Sequence, residues 1–372
     1  MKKLGFGLMR LPVTDTNNNA SIDEAAVLEM MREFIDNGFT YFDTAYMYHR
    51  YNSENVVSRT LVSGFPRDAY TLADKLPICF LKEEADMSRI FEEQISKCGV
   101  EYFDYYMLHD VNSSNYRQTV ERLGAFEFIS KLKEQGRVRE IGLSFHDGAE
   151  LLDTILTSHP EVDFVQLQIN YLDWEDEGIQ SRLCYECAVK HGKKVFVMEP
   201  VKGGTLATVP EEAERIFKSY APESSVASWA IKFAASLPEV AVVLSGMSNM
   251  EQLRDNMSYM KDFTPLCDEE YAVVDRACKV IRDAVEIPCT ACGYCVEGCP
   301  QKIAIPKYFT LYNTEKLLGY RGFSSNQGYY FNTAETCGKA SECIECGLCE
   351  EACPQHLKIR EYLRDVAKYF EK

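Results

Sequence analysis

The chain has 372 residues, enough for one large α/β domain and a smaller one, with an ordinary globular composition of 46% hydrophobic and 26% charged residues. Its 40 basic and 57 acidic residues leave a net charge of −17, which excludes nucleic acid and anionic membrane as partners. The opening Met1-Lys2-Lys3-Leu4-Gly5 lacks the apolar core of a secretory leader, and the most apolar later stretch, 225–247, is broken by Lys232, Pro238 and Glu239, so the chain is read as a cytoplasmic protein without a membrane span.

In chain order, short β-branched or aromatic runs alternate with longer amphipathic stretches. The runs are 6–9, 40–45, 69–75, 103–109, 139–144, 164–168, 194–198 and 240–244. Between them lie segments of helical spacing, such as 23–38 and 86–99, that end in Gly as a helix C-cap would. Eight strand–helix pairs within about 250 residues predict a closed parallel (β/α)8 TIM barrel of the α/β class. A doubly wound open sheet is the alternative, and no Gly-x-Gly-x-x-Gly follows any strand to favour it. Residues 268–285 read as a helix leaving the barrel, and Ile287-Pro288 breaks it. The expected organisation is a barrel over 1–265, a linker helix over 266–286 and a small, mainly helical ferredoxin-like domain over 287–372.

Fifteen cysteines in a chain without an export signal point to metal ligands or buried thiols rather than disulfides, and nine of them fall between Cys289 and Cys353. Cys289-x2-Cys292-x2-Cys295-x3-Cys299-Pro300 is followed by Cys343-x2-Cys346-x2-Cys349-x3-Cys353-Pro354. This is the two-cluster ferredoxin run, in which three closely spaced thiolates take three corners of one cube and the fourth reaches the other cube. The spacing assigns one [4Fe-4S] cluster to Cys289, Cys292, Cys295 and Cys353, and the second to Cys343, Cys346, Cys349 and Cys299. Gly293 and Gly347 sit where backbone passes close to inorganic sulfide. Two zinc ribbons would leave no use for the third and fourth cysteine of each run. Between the runs lie 43 residues, of which 305–319 read as helical; Cys337, outside both runs, is either a bystander or a replacement ligand.

Strand ends carry chemistry as well. Catalytic groups of barrels sit at the C-terminal ends of strands, where this chain places Asp43, Tyr48, Lys75 and His109. In type, order and strand these four match the catalytic tetrad of the aldo-keto reductase family, which residues 4–260 resemble. The resemblance implies carbonyl–alcohol interconversion by nicotinamide hydride transfer. Tyr48 would exchange the proton, Lys75 would favour its phenolate, Asp43 would hold Lys75 charged, and His109 would orient the carbonyl.

The resemblance also implies a nicotinamide site. Ser144 and Gln166 would take the carboxamide, with Gln168 as the alternative of a two-residue slip. Pro200, Lys202, Gly203 and Leu206 match the phosphate loop after the seventh strand. Ser245, Gly246, Ser248, Gln252 and Asn256 match the adenosine half, where a helix N-terminus suits phosphate. The basic pair that grips a 2′-phosphate in many members is replaced by Gly246 and Gln252, which leans toward NAD(H) over NADP(H). Departures from the family pattern are Phe145-His146 in place of an Asn, Met198 in place of a stacking aromatic, Glu54 six residues after Tyr48, and Asp110-Val111 after His109. Cys184 and Cys187 fall on a predicted helix, as a redox pair or as buried thiols.

A nicotinamide passes two electrons together whereas each cubane accepts one. A flavin is the usual agent for splitting the pair, and no separate flavin motif is found. Three readings follow: clusters that connect the barrel site to a ferredoxin or flavoprotein partner, a reductase whose clusters only brace or sense, and a non-catalytic electron-transfer or regulatory subunit that keeps the barrel as a binding module.

Overall fold

The computed structural model describes residues 2–16, 18–176, 179–284, 286–318 and 325–372; residue 285 of the linker range and Gly319, last of the predicted 305–319 helix, lie outside them. Eight parallel strands close into a barrel: β1 (Leu4–Gly7), β2 (Tyr41–Asp43), β3 (Thr71–Pro77), β4 (Phe103–Val111), β5 (Val138–Phe145), β6 (Phe164–Gln168), β7 (Lys194–Met198) and β8 (Val240–Gly246). β1 pairs with β8 through Leu4–Val243 to Gly7–Gly246, which closes the ring and rules out the open sheet. Helices such as Glu24–Asp36 and Glu84–Cys98 return the chain between strands. The first begins where the Asp23 side chain accepts from the Ala26 N–H at 3.0 Å, a local N-cap. Its apolar stripe of Val27, Met30, Met31 and Phe34 is buried, as the helical spacing requires.

Aromatic and aliphatic side chains fill the barrel interior, so it is a packed core rather than a pore. Tyr41, Ala73, Met107, Phe164, Phe196, Val242 and Leu244 form one buried cluster, with the Phe164 and Phe196 rings stacked at 4.4 Å.

The chain divides into two compact units. The first comprises Met1–Asp176, Gln180–Pro200 and Ala227–Cys267, and so holds all eight strands. The second includes Val201–Val226 together with Asp268–Lys372. In it the helices Glu211–Tyr220 and Asp268–Ala284 pack together, so both the loop after β7 and the helix expected as a linker belong with the cysteine-rich region. Its core gathers Tyr308, Phe309, Tyr330, Leu363, Val366 and Phe370, with Tyr330 stacked on Phe370 at 4.9 Å. The segment expected to be helical over 305–319 is the helix Ile305–Leu318. No helix among the described residues is long and apolar enough to cross a membrane.

Candidate active site and cluster-binding cysteines

Side chains two apart in a strand face the same side of the sheet. Tyr41, Ala73, Met107, Phe164 and Phe196 fill the barrel interior. Asp43, Lys75, His109, Gln166 and Met198, each two residues further along its strand, therefore face the same interior one layer nearer the C-terminal mouth. Period-two alternation alone gathers these functional groups on one floor.

There, the Lys75 ammonium donates to an Asp43 carboxylate oxygen, to the Thr44 carbonyl at 2.7 Å and to the Tyr48 hydroxyl at 3.3 Å. Lys75 is 1% exposed. Burial disfavours its charge, but the Asp43 carboxylate outweighs that and holds its pKa above the usual lysine value. Gln166 Nε2 donates to the other Asp43 oxygen at 3.3 Å, whereas Gln168 Nε2 donates to Asp173 at 2.9 Å. At the level of the quartet, Gln166 is thus the glutamine present. The His109 ring lies 6.1 Å from the Tyr48 ring, edge to face. Burial, then Lys75 and His146, push the His109 pKa well below the usual histidine value, so it stands as a neutral imidazole. Its buried Nδ1 has no hydrogen-bond partner among the described residues, a position that a ligand's polar atom can satisfy. Tyr48 differs from the expected phenolate. Lys75 does lower its pKa, but burial and Asp43 together win, and the phenol is raised above its ordinary value and stays protonated.

Tyr48 is held by a strained turn. His49, Arg50 and Tyr51 all have left-handed φ of 51°, 53° and 68°, a conformation that non-glycine residues keep only when the surroundings enforce it. The buried His49 supplies that enforcement. Its Nδ1 donates to the Asn19 carbonyl at 2.6 Å and its Nε2 accepts from the Leu11 N–H at 3.1 Å. Only the neutral Nδ1–H tautomer satisfies both partners.

The residues matched to the nucleotide fall on both units. Ser144, Gln166, Pro200, Ser245, Gly246, Ser248, Gln252 and Asn256 belong to the first, and Lys202, Gly203 and Leu206 to the second. The Ser144 hydroxyl lies 3.5 Å from His146 Nε2 and 3.9 Å from Met198 Sδ. Asn256 Nδ2 donates to Ser245 Oγ at 2.8 Å, and the Ser248 N–H donates to Gln252 Oε1 at 2.7 Å. Arg10, not singled out in the sequence, lies beside Gly246, and its Nη2 is buried without a hydrogen-bond partner. Buried Lys202 donates to Gln355 Oε1 at 3.3 Å; burial raises the Cys353 thiol, opposed by backbone N–H groups and by the charge of Lys202. Gly203 has φ 66°, and a Cβ on it would stand 1.9 Å from the Thr290 carbonyl oxygen. Gly203→Ala is therefore expected to destabilise the second unit by about 2 kcal/mol or more, read as an earlier denaturant-unfolding transition; an unchanged midpoint would contradict this packing.

The eight cysteines of the two runs lie in the second unit. The Cys295 thiol is pushed up first by burial and then by Cys292, Cys289, Cys353 and Cys349. Cys349 is pushed up to about 11 by burial and Cys343, with Cys299 among the further contributors. One cavity is lined by Cys299, Cys343, Cys346 and Cys349 together, with Ile303, Ile305 and Leu363 around them. The backbone is built twice over at an offset of 54 positions, Cys289 to Cys343. Ala291 and Glu345 both have φ 56°, Gly293 and Gly347 have φ 89° and 84°, and Lys302 and His356 have φ 53° and 49°. Such turns aim backbone N–H groups at sulfur, as where Ala291 N–H donates to Cys289 Sγ at 3.4 Å and Ile303 N–H to Cys299 Sγ at 3.5 Å. Four thiols converging on one cavity, and Cys289, Cys292 and Cys353 gathered near Cys295 beside N–H···S bonds, fit [4Fe-4S] clusters at the two runs. Cys337 lies 3.9 Å from its neighbour Thr336 Oγ1.

A match to the Aldo/keto reductase family covers residues 3–279. The chain belongs to that family. A 4Fe-4S dicluster domain matches residues 288–357, so this aldo-keto reductase carries a C-terminal ferredoxin domain. It is 30% identical over 202 residues to a probable aldo-keto reductase of Glycine max, covering 51% of this chain and 54%, about half, of that protein. Among solved structures, an aldo-keto reductase of Bacillus halodurans superposes with a TM-score of 0.60 at 21% identity, over 74% of this chain and 91% of that one. One from Klebsiella pneumoniae, in complex with NADPH, does so with a TM-score of 0.58 at 21% identity, over 74% and 90%.

Some aldo-keto reductase site residues escaped the sequence reading. Gln94 donates to Glu54 Oε1 and to the Lys75 carbonyl, both at 3.0 Å, and accepts from Tyr106 Oη at 2.7 Å. Its signal was a polar residue in the buried stripe of Met87, Ile90, Phe91 and Cys98. Burial, then Glu54, pushes the Asp74 carboxyl well up, and burial raises Glu54 as well. Glu54, displaced in sequence from the family's position, is thus held by Gln94 behind Lys75.

Proposed function

We propose that this aldo-keto reductase interconverts a small carbonyl and its alcohol with NAD(H) or NADP(H), and that its clusters carry electrons to or from a ferredoxin or flavoprotein partner. The observation that carries the reading is the buried Lys75 ammonium bound at once to Asp43 and Tyr48. When bound, the nicotinamide would supply or accept hydride, and the clusters single electrons. The chain's own residues do the rest. Tyr48 Oη gives its proton to the carbonyl oxygen as negative charge develops there, and the adjacent ammonium stabilises the phenolate left behind. Asp43 keeps that ammonium charged and fixed, held in turn by Gln166. Neutral His109 orients the carbonyl by a hydrogen bond. Ser144 and Gln166 would meet the carboxamide, Pro200, Lys202, Gly203 and Leu206 the phosphates, and Ser245, Gly246, Ser248, Gln252 and Asn256 the adenosine half. Uncharged Gly246 and Gln252 favour NAD(H), and the half-buried cation of Arg10 beside Gly246 favours NADP(H), so both nucleotides belong in the test.

A second reading, in which the clusters brace rather than conduct, is supported by one observation: Lys202, Gly203 and Leu206 of the phosphate loop share a compact unit with the cysteines. A single anaerobic experiment separates the two. Cluster-loaded protein is mixed with each nucleotide and a panel of carbonyl–alcohol pairs, following nicotinamide and cluster absorbance together. Electron transfer predicts substrate-dependent bleaching of the clusters; bracing predicts turnover with no bleaching. Neither turnover nor nucleotide binding would overturn the catalytic reading and leave a non-catalytic subunit.

A further inference from the structure

Outside the barrel mouth, one group of side chains converges with the chemistry of a metal site. The helix Ala149–Ser158 carries Asp153, and the next one, Ser181–Lys190, carries Cys187 and is capped by His191. Cys187 and His191 are four apart, so they lie on one face, the spacing at which a single helix presents two ligands to one ion. The neighbouring helix faces them with Asp153. Asp153 Oδ1 is 2.7 Å from His191 Nε2 and 3.8 Å from Cys187 Sγ, and the three donor atoms all lie within 4.8 Å of one another.

We propose that Asp153, Cys187 and His191 form a binding site for one divalent transition-metal ion, Zn2+ by its donor set, separate from the cluster cysteines and from the reductase site. One thiolate, one imidazole and one carboxylate are the borderline mixture that zinc takes, with bonds of about 2.0–2.3 Å in tetrahedral geometry. Ligand atoms around such an ion stand roughly 3.3–3.8 Å apart. The Cys187–Asp153 separation already matches, and the Asp153–His191 pair has to open by less than an ångström of side-chain movement. The same Asp153 oxygen also receives Lys190 Nζ at 2.9 Å. An arriving dication takes the place of that exposed ammonium and draws the carboxylate to itself.

Cys187 is buried while Asp153 and His191 are partly open, so the ion is reached from solvent and keeps a fourth position for water. Burial and then Asp153 push the Cys187 thiol up to about 11, so it is inert without the ion; on binding, its proton leaves to solvent and the thiolate joins the metal. Cys184, one turn earlier, is not part of the set, because its sulfur donates to the Asp147 carbonyl at 3.5 Å. The bound ion clips two neighbouring helices of the barrel wall, stabilising the fold by mass action.

The test uses full-length, cluster-loaded protein under anaerobic conditions, with Zn2+ added at one equivalent and excess removed. Zinc-edge X-ray absorption reads the site independently of iron. The expected result is one retained zinc with a single sulfur at about 2.3 Å and nitrogen or oxygen at about 2.0–2.1 Å. Cys187→Ser should abolish the sulfur shell, and His191→Ala should weaken Zn2+ binding by more than about a hundredfold. No retained zinc overturns the proposal. So does zinc with two or more sulfurs, which places the ion on the cluster cysteines, or a sulfur shell that survives Cys187→Ser. Should Cys187→Ser fail to fold, the wild-type sulfur count and the His191→Ala affinity decide between the same outcomes.

Discussion

Tyr48→Phe is expected to lower kcat for carbonyl reduction by about 10^2- to 10^4-fold, the range a positioned proton donor contributes. At about 1.4 kcal/mol per decade this is roughly 3–5 kcal/mol of transition-state stabilisation. The substitution removes one oxygen and leaves the ring's edge-to-face contact with His109, so the loss should appear in kcat far more than in nucleotide affinity. The sign of the pH dependence follows from the raised Tyr48 pKa. Reduction needs the phenol, which is present through the neutral range, so its rate should stay level there and fall only on the alkaline side of the ordinary tyrosine value. Alcohol oxidation needs the phenolate, so its rate should climb with pH through the same range. Steady-state kinetics in both directions check this. A variant that keeps full turnover, or a reduction rate that climbs with pH, would remove Tyr48 from the acid–base role.

The fold was legible because its periodicities are strict. Seven of the eight strand runs fall on strands, while the first, 6–9, overlaps β1 only at Phe6 and Gly7 before Leu8–Arg10 turns into a 3-10 helix; the alternation that buries Tyr41 also aims Asp43 at the mouth, so strand-end residues could be read without coordinates. The cysteines were legible for a different reason. Ligand spacing in a ferredoxin run is set by the cube rather than by the rest of the fold. Long-range facts left no local signal. Gln94 reaches the site from a helix, and its partners Glu54 and Lys75 are 40 and 19 positions away. The raised Tyr48 phenol depends on a balance between burial and Lys75 that residue types alone do not decide. The grouping of Val201–Val226 with the cysteine region was likewise hidden. It rests on the packing of the helices Glu211–Tyr220 and Asp268–Ala284 and on the close backbone approach of Gly203 to Thr290, pairings between distant segments that no local pattern announces.

Pairs of cysteine substitutions should show that the two runs are interlaced, each lending its last cysteine to the other's cluster. Any single Cys→Ser change among the eight is expected to lower iron from about eight to about four atoms per chain. Double variants then separate crossed from uncrossed ligation. Cys353 contributes to raising the Cys295 thiol, and Cys299 lines the same cavity as Cys343, Cys346 and Cys349. Cys292→Ser with Cys353→Ser should therefore remove one cluster only and keep about four irons, because both changes strike the same cube. Cys346→Ser with Cys353→Ser should remove both clusters and leave almost none. Uncrossed ligation predicts the reverse for these two pairs. Iron and sulfide analysis, with electron paramagnetic resonance of the dithionite-reduced proteins, distinguishes the outcomes. Zinc in place of iron in the anaerobically purified wild type would end the redox reading of this domain, whatever the barrel catalyses.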